Sequence, residues 1–332
     1  MSSSSDGSLL DNARQLATAG AWTELVALLD DAARSAEGEG ELTVLYGEGL
    51  MRVRRERDAY RTLRGAEPKL SRAKDRALHR RAINLIGVAA FRLGELAEAD
   101  VAFGHALELA DEANDALLVA RVSNNMGNIA NLQGRHVRAL SHFRTALPMY
   151  QRLGQQQGLA ESYHNMAVTF RDLGELEEAD QHEQRAIEFA GEASLPRLAA
   201  MGRIGRAEIA LRRGDAVLAG ATARRAAREF ARLDDPLNEA DATRLLGCAL
   251  CRSGEFSEAG GAFADALAIA RDRGYALVEG ETLRDRVGLW ELLERFTDAL
   301  ADGDAALAIF TRLHAVAERD VLALRLAALR AR

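Results

Sequence analysis

Few residues of this sequence combine a reactive side chain with a spacing that chemistry requires. Cys248 and Cys251 form a C-x-x-C pair, which supports redox chemistry where the dipole of a helix N-terminus lowers the thiol pKa. Here the pair lies in the middle of a predicted helix. Two cysteines are also too few for a disulfide framework or a four-ligand zinc site. The pattern therefore predicts neither redox nor metal chemistry.

The histidines do not form a catalytic or metal-binding set. None of them belongs to an H-x-x-x-H or H-E-x-x-H motif, and the sequence has no glycine-rich phosphate loop and no G-x-S-x-G motif. We therefore expect no catalytic residue, no bound metal and no cofactor. The seven histidines are His79, His105, His136, His142, His164, His182 and His314.

Asparagine is the residue type whose placement indicates a function. Asparagine is a modest helix former, so helix propensity does not explain a cluster within predicted helices. Its side chain carries both hydrogen-bond donors and an acceptor and can bond to the N–H and C=O of a peptide backbone together. The cluster consists of Asn84, Asn124, Asn125, Asn128, Asn131 and Asn165.

An internal repeat of 40 residues positions these side chains. The segments that start at residues 81, 121, 161, 201, 241 and 281 align without a gap. Alanine recurs every 40 residues at two positions of the unit, from Ala99 to Ala299 and from Ala106 to Ala306. Both series also include the unit before, at Ala59 and Ala66. A glycine register runs from Gly94 to Gly254, and Glu294 breaks it in the last unit.

Each repeat predicts a pair of helices joined at the glycine. Glycine ends a helix at low cost because it adopts the left-handed conformation. The two alanines lie seven residues apart on one face of the second helix and allow close helix packing, and Phe103, Phe143 and Phe263 share a register between them. A single hairpin cannot bury its apolar face alone, so stacked hairpins are expected to form an all-α solenoid.

The pattern Gly87…Gly94-Glu-Leu…Glu98-Ala99…Phe103…Ala106-Leu107 resembles the tetratricopeptide repeat. A 40-residue period resembles the longer-helix class found in kinesin light chains, G-protein-signalling modulators and bacterial signalling-peptide regulators. The resemblance covers about residues 41 to 315 and implies a right-handed superhelical α-solenoid of stacked antiparallel hairpins. The unit from residue 201 departs from the pattern, because Arg203, Arg206 and Ala223 replace expected apolar or aromatic residues.

The predicted organisation is a single solenoid over residues 9–317 with two ends. Residues 1–8 are expected to be a disordered tail, and residues 9–36 an N-terminal hairpin followed by a turn at 36–40. Units in register start at 41, 81, 121, 161, 201, 241 and 281. Residues 318–332 are expected to form a capping helix, because Leu322, Leu326 and Leu329 share one helix face.

Helix geometry separates a packed face from an opposite stripe on the first helix of each unit. In a tetratricopeptide-like superhelix this stripe lines the concave surface, where the resembling families use asparagines to hold extended peptides. Arginines beside the amides are expected to pair with carboxylates, and two apolar residues are expected to add side-chain specificity. The alternative is that the asparagines bond to neighbouring helices or only solvate the face. The candidate peptide-binding residues are Arg81, Asn84, Arg121, Asn124, Asn125, Asn128, His164, Asn165, Arg171, Met201 and Ile204.

Charge is unevenly distributed along the 332 residues, whose net charge is −7. Residues 52–81 carry twelve basic and four acidic residues, whereas residues 1–51 carry two basic and nine acidic ones. The basic segment predicts a solvated or self-complementary face, and binding of nucleic acid or of an acidic partner remains the alternative. No apolar run is long enough to span a membrane, and no signal peptide is evident, so a cytoplasmic location is expected.

The sequence therefore predicts a non-catalytic scaffold or sensor that holds an extended peptide or protein segment in its concave groove. The alternatives are a self-associating assembly module, which the opposite charges of residues 1–51 and 52–81 suggest, and a regulatory subunit that contacts an acidic partner or nucleic acid through residues 52–81. The sequence also allows a homo-oligomer. It does not favour nucleic acid as a partner and indicates no association with a membrane.

Overall fold

The computed structural model describes residues 3–33, 40–72 and 75–331, which form seventeen α-helices and no strand. The predicted all-α repeat solenoid is confirmed. The helices are α1 Ser3–Ala19, α2 Trp22–Ala33, α3 Gly40–Arg52, α4 Glu56–Arg72, α5 Arg76–Arg92, α6 Leu96–Glu112, α7 Ala116–Leu132, α8 His136–Arg152, α9 Gln156–Leu173, α10 Leu176–Glu192, α11 Pro196–Arg213, α12 Ala216–Arg232, α13 Pro236–Ser253, α14 Phe256–Arg273, α15 Ala276–Leu292, α16 Phe296–Arg312 and α17 Val316–Arg330.

The helices belong to two compact units, Met1–Gly154 and Gln155–Arg332. The first unit contains α1 to α8 and the second contains α9 to α17, and within each unit consecutive helices pack as antiparallel hairpins. From α5 onward the odd-numbered helices begin 40 residues apart. Each unit is thus built from the repeat that the sequence predicts.

A residue in the left-handed conformation ends nearly every helix of the repeat. Glycine fills this position in most turns, with φ between 62° and 81°. Glu294 occupies the glycine register of the last unit and still adopts φ 56°. The turn therefore imposes its conformation even on a residue with a side chain, at a cost of about 1–2 kcal/mol. Non-glycine residues with positive φ are Arg54, Asn114, Ser194, Asp234, Glu294 and His314.

The hairpin core is built from phenylalanines that pack against glycines. Phe103 of α6, which is 1% exposed, lies over Gly87 of α5. Phe143 and Phe263 are also fully buried and face glycines at the same register. The repeated alanines of the even-numbered helices, such as Ala99 and Ala106, are completely buried. Small residues on one helix thus make room for an aromatic ring on the next.

Gly87→Ala is expected to lower the free energy of unfolding by about 1–3 kcal/mol, because overpacking forces side chains and backbone to shift. An added Cβ would lie 2.6 Å from Cε1 of Phe103. Gly104→Ala in α6 is the matched control: a Cβ there meets nothing within 4 Å, so the change should stabilise by about 0.4–1 kcal/mol. Urea denaturation of both variants measures the difference, and equal effects would contradict the packing described.

The ends of the chain differ in part from expectation. The first helix already begins at Ser3, where a tail over residues 1–8 was expected, because a helix nucleated by later apolar residues extends at low cost. The predicted turn at 36–40 lies largely in residues 34–39, which are outside the described residues, and Gly40 begins α3. In α17, Leu322, Leu326 and Leu329 are buried together; the capping role of this helix stays a prediction.

The unit from residue 201 accommodates its unusual residues by two different means. Ala223 of α12 is fully buried in a small cluster with Ala207 and Leu245. Arg203 donates to Glu229, with Nη1 and Oε2 2.5 Å apart, and Arg206 binds a carboxylate of α10. Ala223 stands where other units have a phenylalanine. Ion pairs allow Arg203 and Arg206 to lie partly buried.

Candidate functional site

The odd-numbered helices of each unit lie next to one another, and we call the side that they share the inner side. Within the units, α3 contacts α5, α5 contacts α7, α9 contacts α11, α11 contacts α13 and α13 contacts α15. No two even-numbered helices of the described residues contact each other as extensively. Ion pairs also join the stripe of one odd-numbered helix to that of the next, such as Arg81 with Glu48 and Arg171 with Glu208. The stripes of neighbouring odd-numbered helices are therefore close to each other within each unit; that they form a binding surface stays a prediction.

In the first unit, α5 contributes one paired and one unpaired candidate. Arg81 is exposed and forms an ion pair with Glu48 of α3. Asn84 lies one turn further along α5, and its Oδ1 is buried with no hydrogen-bond partner. A buried amide oxygen without a partner costs about 1–3 kcal/mol, so the side-chain acceptor of Asn84 is left unsatisfied within the protein.

The neighbouring helix α7 carries further polar groups of this kind. Within the described part of the chain, Arg121 has no ion pair, and Asn125 and Asn128 have no hydrogen-bonded side-chain partner. Asn124 differs because it is 5% exposed and engaged in an interaction within the protein. We name Asn84, Arg121, Asn125 and Asn128 the inner amide surface. Apolar Leu132, which is 65% exposed, lies at the end of the same helix.

In the second unit, the candidate His164 is already paired. Its Nδ1 lies 3.0 Å from Oε2 of Glu183, which is 1% exposed on α10. Burial opposes a charge on the imidazole, but the carboxylate outweighs it and raises the pKa of His164. Burial raises the pKa of Glu183 as well, although His164 opposes this. The two side chains form an internal pair rather than a free ligand contact.

Sequence analysis did not assign a role to Glu183, although its position is informative. Glu183 occupies the register that holds Phe103, Phe143 and Phe263 in other units. A carboxylate at a core aromatic position requires a buried partner, and His164 provides it. A glutamate at a position that holds phenylalanine in other units was therefore the sequence signal for this buried pair.

The other candidates of the second unit are also engaged within the protein. Arg171 forms ion pairs with Glu208 and Asp172. Asn165 takes part in an interaction within the chain. Met201 and Ile204 are partly buried against the cluster around Phe230. A ligand of this surface would have to compete with existing contacts, in contrast to the inner amide surface of the first unit.

Further along the second unit, the inner side carries a buried ion network. Arg244 of α13, which is 7% exposed, contacts Asp241 at 2.6 Å and Asp285 of α15 at 2.5 Å. Burial and Asp285 raise the pKa of the Cys248 thiol, and burial raises that of Cys251 to about 11. Both cysteines are thus thiols at neutral pH, which disfavours thiolate chemistry. No group of three metal-binding side chains occurs in the described residues.

The basic segment at 52–81 is partly neutralised inside the first unit. Arg55 lies 2.8 Å from Asp30 of α2, and Arg64 lies 3.0 Å from Glu98 of α6. Arg81 of the same segment pairs with Glu48. Lys74 lies outside the described residues. These contacts agree with the self-complementary face expected from the sequence, because acidic residues within 1–51 neutralise part of the segment.

Comparison with known proteins identifies the class of protein. A family model described as tetratricopeptide repeat matches residues 78–152 and 118–192. Residues 78–192 are thus tetratricopeptide repeats, and the resemblance stated from the sequence is confirmed. A search of curated proteins found no significant match.

Three solved structures share the fold at low sequence identity. A Rap protein complexed with Competence and Sporulation Factor has a TM-score of 0.64 and 14% identity, with 98% of both chains covered. The apo form of the quorum sensor NprR from B. thuringiensis has a TM-score of 0.64 and 13% identity, again with 98% of both chains covered. Aspartyl phosphate phosphatase F from Bacillus subtilis has a TM-score of 0.61 and 15% identity, over 99% of this chain and 95% of that one. None of the helices described here has the length and apolar character needed to span a membrane.

Proposed function

We propose that this protein is a non-catalytic peptide-binding scaffold or sensor and that the inner amide surface of its first unit holds an extended peptide segment. The observation that carries the proposal is the buried Oδ1 of Asn84, which has no partner. Arg121, Asn125 and Asn128 extend this polar surface onto α7, and none of them has a side-chain partner among the described residues.

Hydrogen-bonding capacity explains why the ligand is a peptide backbone. An extended chain presents alternating N–H and C=O groups, and each asparagine amide can donate to one and accept from the other. Such contacts hold a backbone with little dependence on its side chains. Arg121 adds a cation that can bind a carboxylate of the ligand through two N–H donors. The solved structures with this fold include a complex with Competence and Sporulation Factor and a quorum sensor, which is in keeping with ligand recognition.

The double substitution Asn125→Ala/Asn128→Ala is expected to weaken peptide binding about a hundredfold, which corresponds to about 2.8 kcal/mol. Each lost hydrogen bond contributes about 0.5–1.5 kcal/mol, and each amide can form two. A peptide selected from a random library on the wild-type protein serves as probe, and fluorescence anisotropy measures its affinity. Melting temperature and helicity should stay unchanged, because neither amide has a partner within the protein.

The matched control is Gln133→Ala/Gln151→Ala, which removes two exposed amides of the same unit that do not belong to the inner amide surface. Its affinity should equal that of the wild type. Unchanged affinity in the asparagine variant, or equal weakening in both variants, would rule out the inner amide surface as the peptide site.

The absence of catalysis is tested separately, because one protein with this fold is named a phosphatase. Purified protein incubated with acetyl phosphate, a small acyl phosphate, should release phosphate at the rate of buffer alone. Turnover above that rate would refute the non-catalytic part of the proposal and leave the binding measurement unaffected.

A further inference from the structure

Away from the inner side of the second unit, three helices border a cavity of about 310 Å³ that is open to solvent. It lies between α10, α11 and α12, and Arg203, Arg206 and Arg225 line its wall. Gln184 and Thr222 add polar groups, and Ile187 adds an apolar one. The cavity exceeds the volume of a single small ion and lies within the size range of small-molecule sites.

The cavity carries an excess of positive charge. Asp180 binds the guanidinium of Arg206 through Nε at 2.7 Å and Nη2 at 3.3 Å. Glu229 is shared between Arg203, at 2.5 Å, and Arg225, at 3.2 Å. Three cations thus face two carboxylates, and one positive charge is left without a counterion.

The adjoining surface of α12 adds to this excess. Arg228 and Arg232 line a neighbouring groove of about 350 Å³, which shares Arg225 with the cavity. Both arginines are exposed, and neither has an ion-pair partner among the residues that the structure describes. The field of these arginines therefore favours an anion at the mouth of the cavity.

Unused donors are available inside the cavity. A guanidinium group has five N–H donors in a fixed planar arrangement. Arg203 uses one of them on Glu229, and Arg225 also uses one. Burial lowers the pKa of Arg203; the carboxylate of Glu229 opposes this effect, and the like charge of Arg225 adds to it. A ligand anion beside these side chains would add to the single negative charge of Glu229, offset the remaining repulsion and take up the free donors.

We propose that the cavity between α10, α11 and α12 binds the phosphate group of a small organic molecule. Two guanidinium groups offer a phosphate the paired N–H donors that it binds best, and the hydroxyl of Thr222 can donate to a third oxygen. Ile187 provides the apolar wall against which the organic part packs. The cavity lies on the opposite side of α11 from Met201 and Ile204, so the site is separate from the inner side.

Isothermal titration calorimetry at low salt with phenyl phosphate tests the proposal on the full-length protein. The wild type should bind phenyl phosphate saturably. Arg225→Gln should weaken binding at least about tenfold, and it should leave the fold intact, because Arg225 is 67% exposed and Arg203 keeps Glu229. Thr222→Val, which leaves the charge unchanged, should weaken binding about fivefold through the lost hydroxyl donor.

Arg185→Gln on α10 is the matched control, because it removes the same charge from a side chain that is 64% exposed and outside the cavity. Its affinity should remain within about twofold of the wild type, since a screened surface charge contributes little. Absence of saturable binding, or equal weakening by Arg185→Gln and Arg225→Gln, would overturn the proposal. Inorganic phosphate binding as tightly as phenyl phosphate would overturn the assignment of an organic ester. Binding of a single-stranded oligonucleotide without binding of phenyl phosphate would assign the arginines to nucleic acid instead.

Discussion

Replacing Arg244 with methionine is expected to lower the free energy of unfolding by about 3–5 kcal/mol, because removal of one partner leaves buried charges uncompensated. Arg244 is 7% exposed and lies between Asp241 and Asp285. Methionine fills a similar volume, so the change removes charge more than packing. Urea denaturation followed by circular dichroism at neutral pH measures the loss.

The loss in free energy of unfolding caused by Arg244→Met should depend on pH. Burial opposes ionisation of Asp285, but Arg244 and Arg284 outweigh it and lower the pKa of Asp285 below the usual 3.8. A lowered carboxyl pKa stabilises the protein above the unfolded value, and this contribution is lost as the pH falls through the folded value. The difference between wild type and variant should therefore shrink below about pH 4.

Arg271→Met is the matched control for this experiment. Arg271 also pairs with a carboxylate, Glu279, at 2.7 Å, but its side chain is 56% exposed. Exposed pairs contribute about 0–1 kcal/mol, so the control should lose no more than that. A loss for Arg244→Met no greater than that of the control would show that the network of α13 and α15 does not stabilise the fold.

His164→Ala is expected to cost a similar amount, about 3–5 kcal/mol at neutral pH. Glu183 is 1% exposed, and its carboxylate is 3.0 Å from the imidazole. Without the imidazole, a buried carboxylate would have lost its closest cation. Thermal and urea denaturation of the variant measure the cost.

The pH dependence of the wild type follows from the same pair. Because the pKa of His164 is raised above 6.5 in the folded protein, its stabilising contribution is complete below pH 6.5. It is lost as the pH rises through the folded value. The raised pKa of Glu183 acts in the same direction. From pH 6.5 upward, the wild type should lose stability, and the difference from His164→Ala should narrow.

His142→Ala provides the control. Burial lowers the pKa of His142, so its contribution has the opposite sign and stability rises as the pH rises. The variant should lose little stability at neutral pH. Its stability should still fall as the pH rises above 6.5, as in the wild type. An alkaline decline that persists unchanged in His164→Ala would exclude the His164–Glu183 pair as its cause.

The repeat architecture could be predicted from the sequence because each of its determinants is local or periodic. Helix propensity, apolar spacing and the register of Gly94 to Gly254 act within one hairpin, so a linear pattern records them. The pairing of Phe103 with Gly87 is also readable, since both recur at the same spacing. The turn conformation of Glu294 shows the limit of such reading, because the fold imposes it where the residue type does not indicate it.

The sequence predicts which helix faces carry the candidate site, but not which of its side chains are free to bind a ligand. Periodicity places Asn84, Asn125 and Arg171 on the stripe of their helices that is predicted to face the inner side. It does not indicate which of them have partners. Arg171 pairs with Glu208, 37 residues away. The Oδ1 of Asn84 is buried without a partner, and the partly exposed Asn125 has no side-chain partner among the described residues. Partner choice depends on distances between helices, which a linear sequence does not encode directly.

The sequence alone determined the all-α repeat and its period, because these depend on backbone geometry and on side-chain size and polarity. Only the tertiary structure decided that Glu183 neutralises His164 and that Arg203 and Arg225 share one carboxylate. The strength of an ion pair depends on the distance between the two charges. Burial adds a desolvation cost that can exceed their attraction. Electrostatic pairing is therefore set by the final packing of α9 to α12 rather than by residue type.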